Sequence, residues 1–171
     1  MTSIPLTLLR HISPLQSTPL KSDFSPPLVA GGKMGDELTG GEMSLYLTSN
    51  IIYKATVTTD NNTAHYIGSS ETEFKTRYNN HTASFRHASK KNATSLSAHI
   101  HKQKEQNKTP IVKWEILTKC HPYNQGSRKC DLCLSEKMHI LTDTSNKLLN
   151  VKGELINKCR HRAKTKLKNI Q

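Results

Sequence analysis

The stretch from Tyr66 to His81 reads YIGSSETEFKTRYNNH, and its pattern predicts a strand that leads directly into a helix. The first three residues are typical of the end of a strand. Ser70, followed three positions later by Glu73, is the signature of a capping box, so the helix is predicted to begin at about Glu71.

One face of this predicted helix combines aromatic and ionisable side chains. Residues at steps of three and four share a helix face, and here they are Phe74, Arg77, Tyr78, His81 and Phe85. An arginine and a histidine one turn apart can face a phosphate. The same two residues are also typical of the solvated edge of an amphipathic helix, so the rest of the chain must decide between the two interpretations.

The residues before this stretch predict a β-hairpin. Ile51 to Thr58 is rich in β-branched and aromatic residues, residues 60–62 are a turn signal, and residues 64–69 can return as the second strand. An even-length turn puts Tyr53 and Tyr66 on the same face of the pair. Both could still be ordinary strand aromatics with their hydroxyls at the edge.

Three more elements are predicted towards the C-terminus. Residues 95–106 and 131–142 have helical patterns, and residues 111–118 form a strand that carries the only tryptophan, Trp114. In the last helix Glu136 shares a face with Leu132 and Ile140. A carboxylate in that position is costly unless it is paired or bound to a cation, although a partly exposed glutamate at a helix edge is the simpler interpretation.

Charge divides the 171 residues unevenly. Residues 1–45 hold three basic and four acidic residues, a net charge of −1. Because the whole chain has a net charge of +12, residues 46–171 carry a net charge of +13. The same 45 residues hold five of the seven prolines and five of the eight glycines, which predicts a disordered leader. A compact basic domain favours a polyanionic partner, nucleic acid before anionic membrane.

Candidate contacts to nucleic acid follow the Tyr66–His81 stretch. They are Arg86, Lys90, Lys91 and Lys102. A run of charges is more often only a solvated surface, and this second interpretation stays open. Residues 153–171 form a basic C-terminal tail.

Four cysteines in a chain without a hydrophobic signal segment predict a reducing, intracellular location, nuclear or cytoplasmic. No apolar run approaches the length of a membrane-spanning helix, so no membrane partner is expected. Cys130 and Cys133 form a C-x-x-C pair, and with Cys159 and His161 they could make a tetrahedral zinc site that holds the tail. Cys120 with His121 could replace the second pair, and buried thiols without a metal are the alternative.

The order of these pieces resembles the GIY-YIG nuclease family over roughly residues 50–151. The second half of the family signature is intact in Tyr66, Ile67 and Gly68. The first half reads Ile51-Ile52-Tyr53, so isoleucine stands where the family has glycine. The domain is assigned to residues 46–152, and its combination with cysteines and a basic C-terminus also resembles the endonuclease portion of Penelope-type retroelements.

The resemblance implies an α+β fold, with a small three-stranded antiparallel sheet flanked by helices, and a DNA endonuclease that uses one Mg²⁺ or Mn²⁺ and no small-molecule cofactor. Tyr53 and Tyr66 would flank the attacking water, and Arg77 would bind the scissile phosphate. His81 would assist proton transfer or hold a tyrosine. The metal would be bound by Glu136, and Asn150 would close the site by hydrogen bonding.

Two other functions remain in view. A catalytically inactive nucleic-acid-binding module would keep the fold and the positive charge, and Ile51 in place of glycine favours it. A zinc-stapled domain that binds protein partners would make the charge incidental.

Overall fold

Two nine-residue strands form a hairpin that supplies one central strand and one edge strand of the sheet. A computed structural model of the chain describes residues 28–29, 46–60, 62–127 and 129–151, with the single residues 153, 155, 158, 159 and 161. Strand β2 (Ile51–Thr59) pairs antiparallel with β3 (Asn62–Ser70), and Thr59 lies opposite Asn62. The hairpin and its even-length turn are therefore as predicted.

Strand β4 (Ile111–Lys119) pairs antiparallel with the other edge of β2, which completes the predicted three-stranded sheet. A two-residue strand, β1 (Leu28–Val29), adds to the outer edge of β4, giving the order β1-β4-β2-β3. Two residues of the predicted leader thus join the sheet. The other residues of the segment 1–45 lie outside the described residues, as does most of the predicted tail.

Helices cover both faces of the sheet, so the predicted α+β class is confirmed. Helices α1 (Phe74–Arg86) and α2 (Ser95–Glu105), separated by a 3-10 turn at Ala88–Lys90, lie on one face. Helix α3 (Asp131–Thr142) lies on the other face. Within the described part of the chain, no helix has the length and apolar character required to cross a bilayer.

The capping box predicted at Ser70 and Glu73 is wrong. Helix α1 begins at Phe74, and the Ser70 hydroxyl donates to the carbonyl of Thr72 (2.8 Å) instead of capping the helix. The N–H of Phe74 donates to the carbonyl of Thr48 (2.9 Å). The first N–H of the helix is therefore satisfied by the segment before β2 and not by a local side-chain cap.

Each face of the sheet has its own apolar core. Under α1 and α2, Trp114 packs against the rings of Tyr53, Phe74 and Tyr78, with centroids 5.5–5.8 Å apart. Trp114 is thus at the middle of the larger core, as its strand position predicted. Under α3 the smaller core contains Ile52, Ile67, Cys120, Cys130, Leu132 and Ile140.

Helix α2 holds the C-terminal end of α1. The side chains of His101 and Lys104 contact the carbonyls of Ser84 and Phe85, each at 2.9 Å. Donors at this end satisfy carbonyls that have no partner within the helix. The orientation of α1 against the sheet is therefore fixed at both ends, by Thr48 and by α2.

Candidate active site and metal centre

Tyr53 and Tyr66 lie on the same face of the sheet, as the turn length predicted. The register pairs Tyr53 with Gly68 and Ala55 with Tyr66, so both tyrosines point towards α1. The rings of Tyr53 and Tyr66 lie at nearly equal distances from the His81 ring, with centroid separations of 5.9 and 6.0 Å. The hairpin and the helix thus bring both tyrosines close to His81.

The hydroxyl of Tyr53 contacts both ionisable residues of α1. It lies 2.8 Å from Nε2 of His81 and accepts a hydrogen bond from Nε of Arg77 at 3.2 Å. Arg77 and His81 are one helical turn apart and reach the same oxygen. Tyr53 is 0% exposed and His81 is 3% exposed, so this contact belongs to the interior of the fold.

Protonation decides which atom donates in this contact. Burial, together with the charge of Arg77, lowers the pKa of His81 to about 3. The imidazole is therefore neutral near pH 7, and its Nε2 can accept the hydroxyl proton of Tyr53 while Arg77 donates to the hydroxyl oxygen. In this arrangement the three groups form a directed chain from Arg77 through Tyr53 to His81.

Gly68 is required by the position of the Tyr53 ring. A Cβ at residue 68 would lie 2.4 Å from the hydroxyl oxygen of Tyr53 and 2.6 Å from its Cζ. Ile51, at the position where the resembled family has glycine, is fully buried and packs in the larger core. The close approach that needs a glycine therefore occurs at Gly68, and position 51 accommodates a large side chain.

Glu136 approaches the site from α3. Leu132 and Ile140 on the same helix are buried against the sheet, and Glu136 between them is half-buried. Burial alone would lower the pKa of Arg77, but Tyr53, Tyr66 and Glu136 raise it above its usual value. The structure thus places the carboxylate within electrostatic reach of the guanidinium.

Asn150 acts on the backbone of the strand that carries Tyr66. Its Oδ1 accepts from the N–H of Ile67 and its Nδ2 donates to the carbonyl of Ile67, both at 2.8 Å. A short parallel bridge between His65 and Leu148 precedes this contact. Asn150 therefore fixes the residue between Tyr66 and Gly68 through its main chain.

A second cluster lies where the C-terminal segment meets the start of α3. The ligand atoms of Cys130, Cys133, Cys159 and His161 all lie within 4.8 Å of one another, so the group could hold a metal ion. Nδ1 of His161 is 3.4, 3.3 and 3.8 Å from the three sulfurs, in chain order. Burial, followed by the neighbouring thiols, raises the pKa of Cys133.

The alternative zinc pair, Cys120 with His121, does not join this cluster. Cys120 is buried in the smaller core, and among the residues that the structure describes the metal-competent group contains only the other three cysteines and His161. Of the two second pairs that the sequence left open, the structure therefore brings Cys159 and His161 to the C-x-x-C pair.

The predicted nucleic-acid contacts lie at the far end of α1 and on its neighbours. Arg86, Lys90 and Lys102 are exposed. Lys91 is ion-paired with Glu105 at 2.5 Å. Arg86 is nine residues along α1 from Arg77, which corresponds to about 14 Å at about 1.5 Å per residue.

Two features of the site are absent from the sequence prediction. Glu71 lies 3.5 Å from Nε2 of His161, and no local pattern indicates a contact between residues so distant in the chain. The close approach of the Tyr53 ring to Gly68 depends on the register that pairs these two residues. In the sequence, only the length of the turn indicates that register. Comparison of the chain with protein-family models, curated proteins and solved structures finds no match.

Proposed function

We propose that this chain is a divalent-metal-dependent endonuclease that hydrolyses phosphodiester bonds in DNA, as its resemblance to the GIY-YIG family implies. The observation that carries the proposal is the Tyr53 hydroxyl, held between Nε of Arg77 and Nε2 of His81. An Arg-Tyr-His chain with a buried tyrosine and histidine, a second tyrosine on the same face and a carboxylate within electrostatic reach exceeds what a structural core requires.

Arg77 is the residue we assign to the scissile phosphate. Its Nε is used by Tyr53, so the terminal nitrogens of the guanidinium supply the fork that matches phosphate oxygens. Arg77 is half-buried, whereas Tyr53 and His81 are buried, so Arg77 is the member of the three that a phosphate can reach. Charge neutralisation at the phosphoryl oxygens is the largest requirement of this hydrolysis.

The two tyrosines take different roles in the proposal. Tyr53 is fully buried and its hydroxyl is occupied by Arg77 and His81, so it orients these two side chains. Tyr66 is then the tyrosine that faces the attacking water. Neutral His81 can hold the Tyr53 proton and keep that hydroxyl directed away from the phosphate.

Glu136 is the proposed ligand for Mg²⁺ or Mn²⁺. A single carboxylate suits a hard cation that keeps several waters and takes substrate oxygens as its other ligands. Bound there, the metal would stabilise charge on the phosphate and on the leaving oxygen. Glu136 also contributes to raising the pKa of Arg77, so the carboxylate and the guanidinium interact electrostatically.

DNA is the proposed partner because exposed basic residues lie at the C-terminal end of α1 and on the elements that follow it. Arg86 lies about 14 Å along α1 from Arg77, a distance that spans about four base pairs at about 3.4 Å each. Lys90 and Lys102 follow on the neighbouring elements and are exposed. These cations are proposed to contact DNA phosphates other than the scissile one.

The Cys130, Cys133, Cys159 and His161 cluster is proposed to bind structural zinc. Tetrahedral coordination with Zn–S of about 2.3 Å and Zn–N of about 2.0 Å puts sulfur and nitrogen about 3.5 Å apart. The three observed separations, 3.3, 3.4 and 3.8 Å, bracket this value. None of the four cysteines forms a disulfide, which also fits the reducing interior of a cell, nuclear or cytoplasmic.

Substitution of Arg77 tests the proposal, with Lys75 on the same helix as the matched control. The full chain should relax supercoiled plasmid with Mg²⁺ or Mn²⁺. Arg77→Ala should slow relaxation by about 10²–10³-fold, the usual effect of removing one such donor. Lys75→Ala, which removes an exposed positive charge, should cleave nearly as the wild type does.

Thermal unfolding of the same variants distinguishes catalysis from folding. Cleavage by Arg77→Ala at the wild-type rate would contradict the proposal. Loss of the folded state in this variant would show that Arg77 is a structural residue.

A second candidate function is a nucleic-acid-binding module without catalysis. The complete burial of Tyr53 favours it, because no substrate atom reaches that hydroxyl in this conformation. Retardation of DNA in a gel without relaxation of plasmid would support this candidate over the endonuclease.

A further inference from the structure

The two ring nitrogens of His161 face different partners. Nδ1 faces the three cysteine sulfurs at 3.3–3.8 Å. Nε2 lies 3.5 Å from the carboxylate oxygen Oε2 of Glu71. The His161 side chain is 13% exposed and that of Glu71 is 44% exposed, so the contact lies at the edge of the cluster.

We propose that Glu71 orients His161 as a metal ligand and thereby couples the Cys3His site to the start of helix α1. A histidine that binds metal through one nitrogen usually donates its other N–H to a carboxylate or a carbonyl. That donation fixes the tautomer, so that Nδ1 presents a lone pair to the metal, and it increases the basicity of the ligand. Glu71 is a positioning residue in this assignment, since it touches the metal only through His161.

The main chain around Glu71 carries the coupling. The carbonyl of Glu71 accepts from the N–H of Asn50 at 3.3 Å, and the carbonyl of Asn50 accepts from the N–H of Cys120 at 2.7 Å. Asn50 has a φ of 54°, in the left-handed region. The ends of β3 and β4 and the start of β2 therefore meet at one residue, directly beside the carboxylate that holds His161.

Helix α1 begins three residues after Glu71. Its first N–H, from Phe74, donates to Thr48, two residues before Asn50. Arg77 follows one turn later on the same helix. A metal that holds His161 against Glu71 thus restrains the loop that sets where α1, and with it Arg77, begins.

The test compares Glu71→Gln with Glu73→Gln in the full chain. Both variants remove one negative charge from the same loop, and the Glu73 side chain makes no cap hydrogen bond. Zinc affinity is measured by competition with a chromophoric chelator. Glu71→Gln should weaken zinc binding by about 10–100-fold, the usual effect of losing such a partner, while Glu73→Gln should match the wild type.

Equal affinities in the two variants would overturn the proposal, and so would a wild-type chain that binds no zinc. Cobalt substitution adds a second readout, because thiolate-to-metal absorption bands should persist in Glu71→Gln if only the ligand orientation has changed. Disappearance of these bands would mean that Glu71 is needed to assemble the cluster itself, which also contradicts a positioning role.

Hydrogen exchange at the amides of Asn50 and Phe74 tests the coupling. Removal of zinc should accelerate both in the wild type, and Glu71→Gln should show the faster exchange even with zinc bound. Unchanged exchange on zinc removal would overturn the coupling. The inference rests on the zinc site proposed above and not on cleavage, so an inactive nuclease that passes these tests would leave it standing.

Discussion

At the scale of single residues, the site depends on the position of one hydroxyl. Tyr53 is fully buried, and a buried hydroxyl needs hydrogen-bond partners. Arg77 and His81 supply them from one face of α1. The spacing of these two residues was readable in the sequence, whereas the choice of Tyr53 over Tyr66 as their shared partner depends on the ring lying over Gly68.

Gly68→Ala should displace the Tyr53 ring. The added methyl group would lie 2.4 Å from the hydroxyl oxygen, where no real Cβ fits. We expect a loss of about 1–3 kcal/mol in the free energy of unfolding, typical of overpacking, together with loss of cleavage. Urea unfolding and plasmid relaxation measure the two effects.

Gly126→Ala is the control for this change, because its Cβ would have only an ordinary 3.8 Å contact. If Gly68→Ala is as stable as Gly126→Ala and cleaves normally, the Tyr53 ring does not lie against Gly68.

Ile51→Gly should destabilise the fold without improving cleavage. The Ile51 side chain is fully buried in the larger core. Its removal should cost about 3–5 kcal/mol from the cavity and from glycine within a strand. Chemical denaturation gives this value, and Thr58→Gly, at an exposed position of the same strand, corrects for the backbone effect. A stable Ile51→Gly with faster cleavage would show instead that Ile51 obstructs the site.

His81 should make the fold less stable in acid. Its pKa is about 3 in the folded state and about 6.5 when unfolded. Between these values the unfolded chain binds a proton that the folded chain does not. The free energy of unfolding should therefore fall as the pH drops from about 6.5 towards 3, by up to about 1.4 kcal/mol per pH unit.

Urea unfolding across this pH range, with His81→Gln for comparison, isolates the contribution of His81. Other ionisable groups affect both proteins, so the difference between the two curves is the relevant quantity. A difference that does not change with pH would mean that His81 is protonated in the folded state.

At the scale of helices and strands, most of the fold follows from local pattern. The bounds of α3 agree with the prediction, whereas the two hairpin strands extend one or two residues beyond the predicted 51–58 and 64–69. The start of α1 was predicted three residues too early, since Phe74 pairs with Thr48 through the main chain. The prediction for Asn150 was that it hydrogen bonds and closes the site, but it did not name a partner. That partner, Ile67, is 83 residues away in the chain, so no local pattern identifies it.

Cys133→Ser should lower the melting temperature of the zinc-loaded protein. Its sulfur is 3.3 Å from Nδ1 of His161 and belongs to the proposed ligand set. Because bound metal stabilises only the folded state, weaker binding should reduce the melting temperature by roughly 5 °C or more. After zinc is removed with a chelator, the difference from the wild type should largely disappear.

Cys120→Ser provides the matched comparison, since Cys120 is buried nearby but lies outside the cluster. Its effect should be the same with and without zinc. Identical melting curves for Cys133→Ser and the wild type, with no zinc found by elemental analysis, would remove the zinc site.

At the scale of the whole molecule, two clusters of residues are brought together from distant parts of the chain. The sequence left two possible second pairs for a zinc site, because spacing does not determine which segments meet in space. The structure joins Cys159 and His161 to the start of α3, and Glu136 lies one turn along the same helix from Cys133. Both candidate metal sites therefore depend on the placement of α3.

The net charge of +12 is a property of the whole chain and favours a polyanionic partner over a small molecule. Charge alone does not distinguish binding from cleavage. That distinction depends on Glu136, whose carboxylate contributes to raising the pKa of Arg77.

Relaxation of supercoiled plasmid by the full chain and by Glu136→Gln, each with Mg²⁺, with Mn²⁺ and without added divalent metal, is the most direct test of the endonuclease. Glu73→Gln serves as the charge-matched control. We expect metal-dependent relaxation by the wild type and by Glu73→Gln, and none by Glu136→Gln. If Glu136→Gln relaxes the plasmid as well as the wild type, or if none of the proteins relaxes it while all retard DNA in a gel, the proposed metal-dependent endonuclease is wrong.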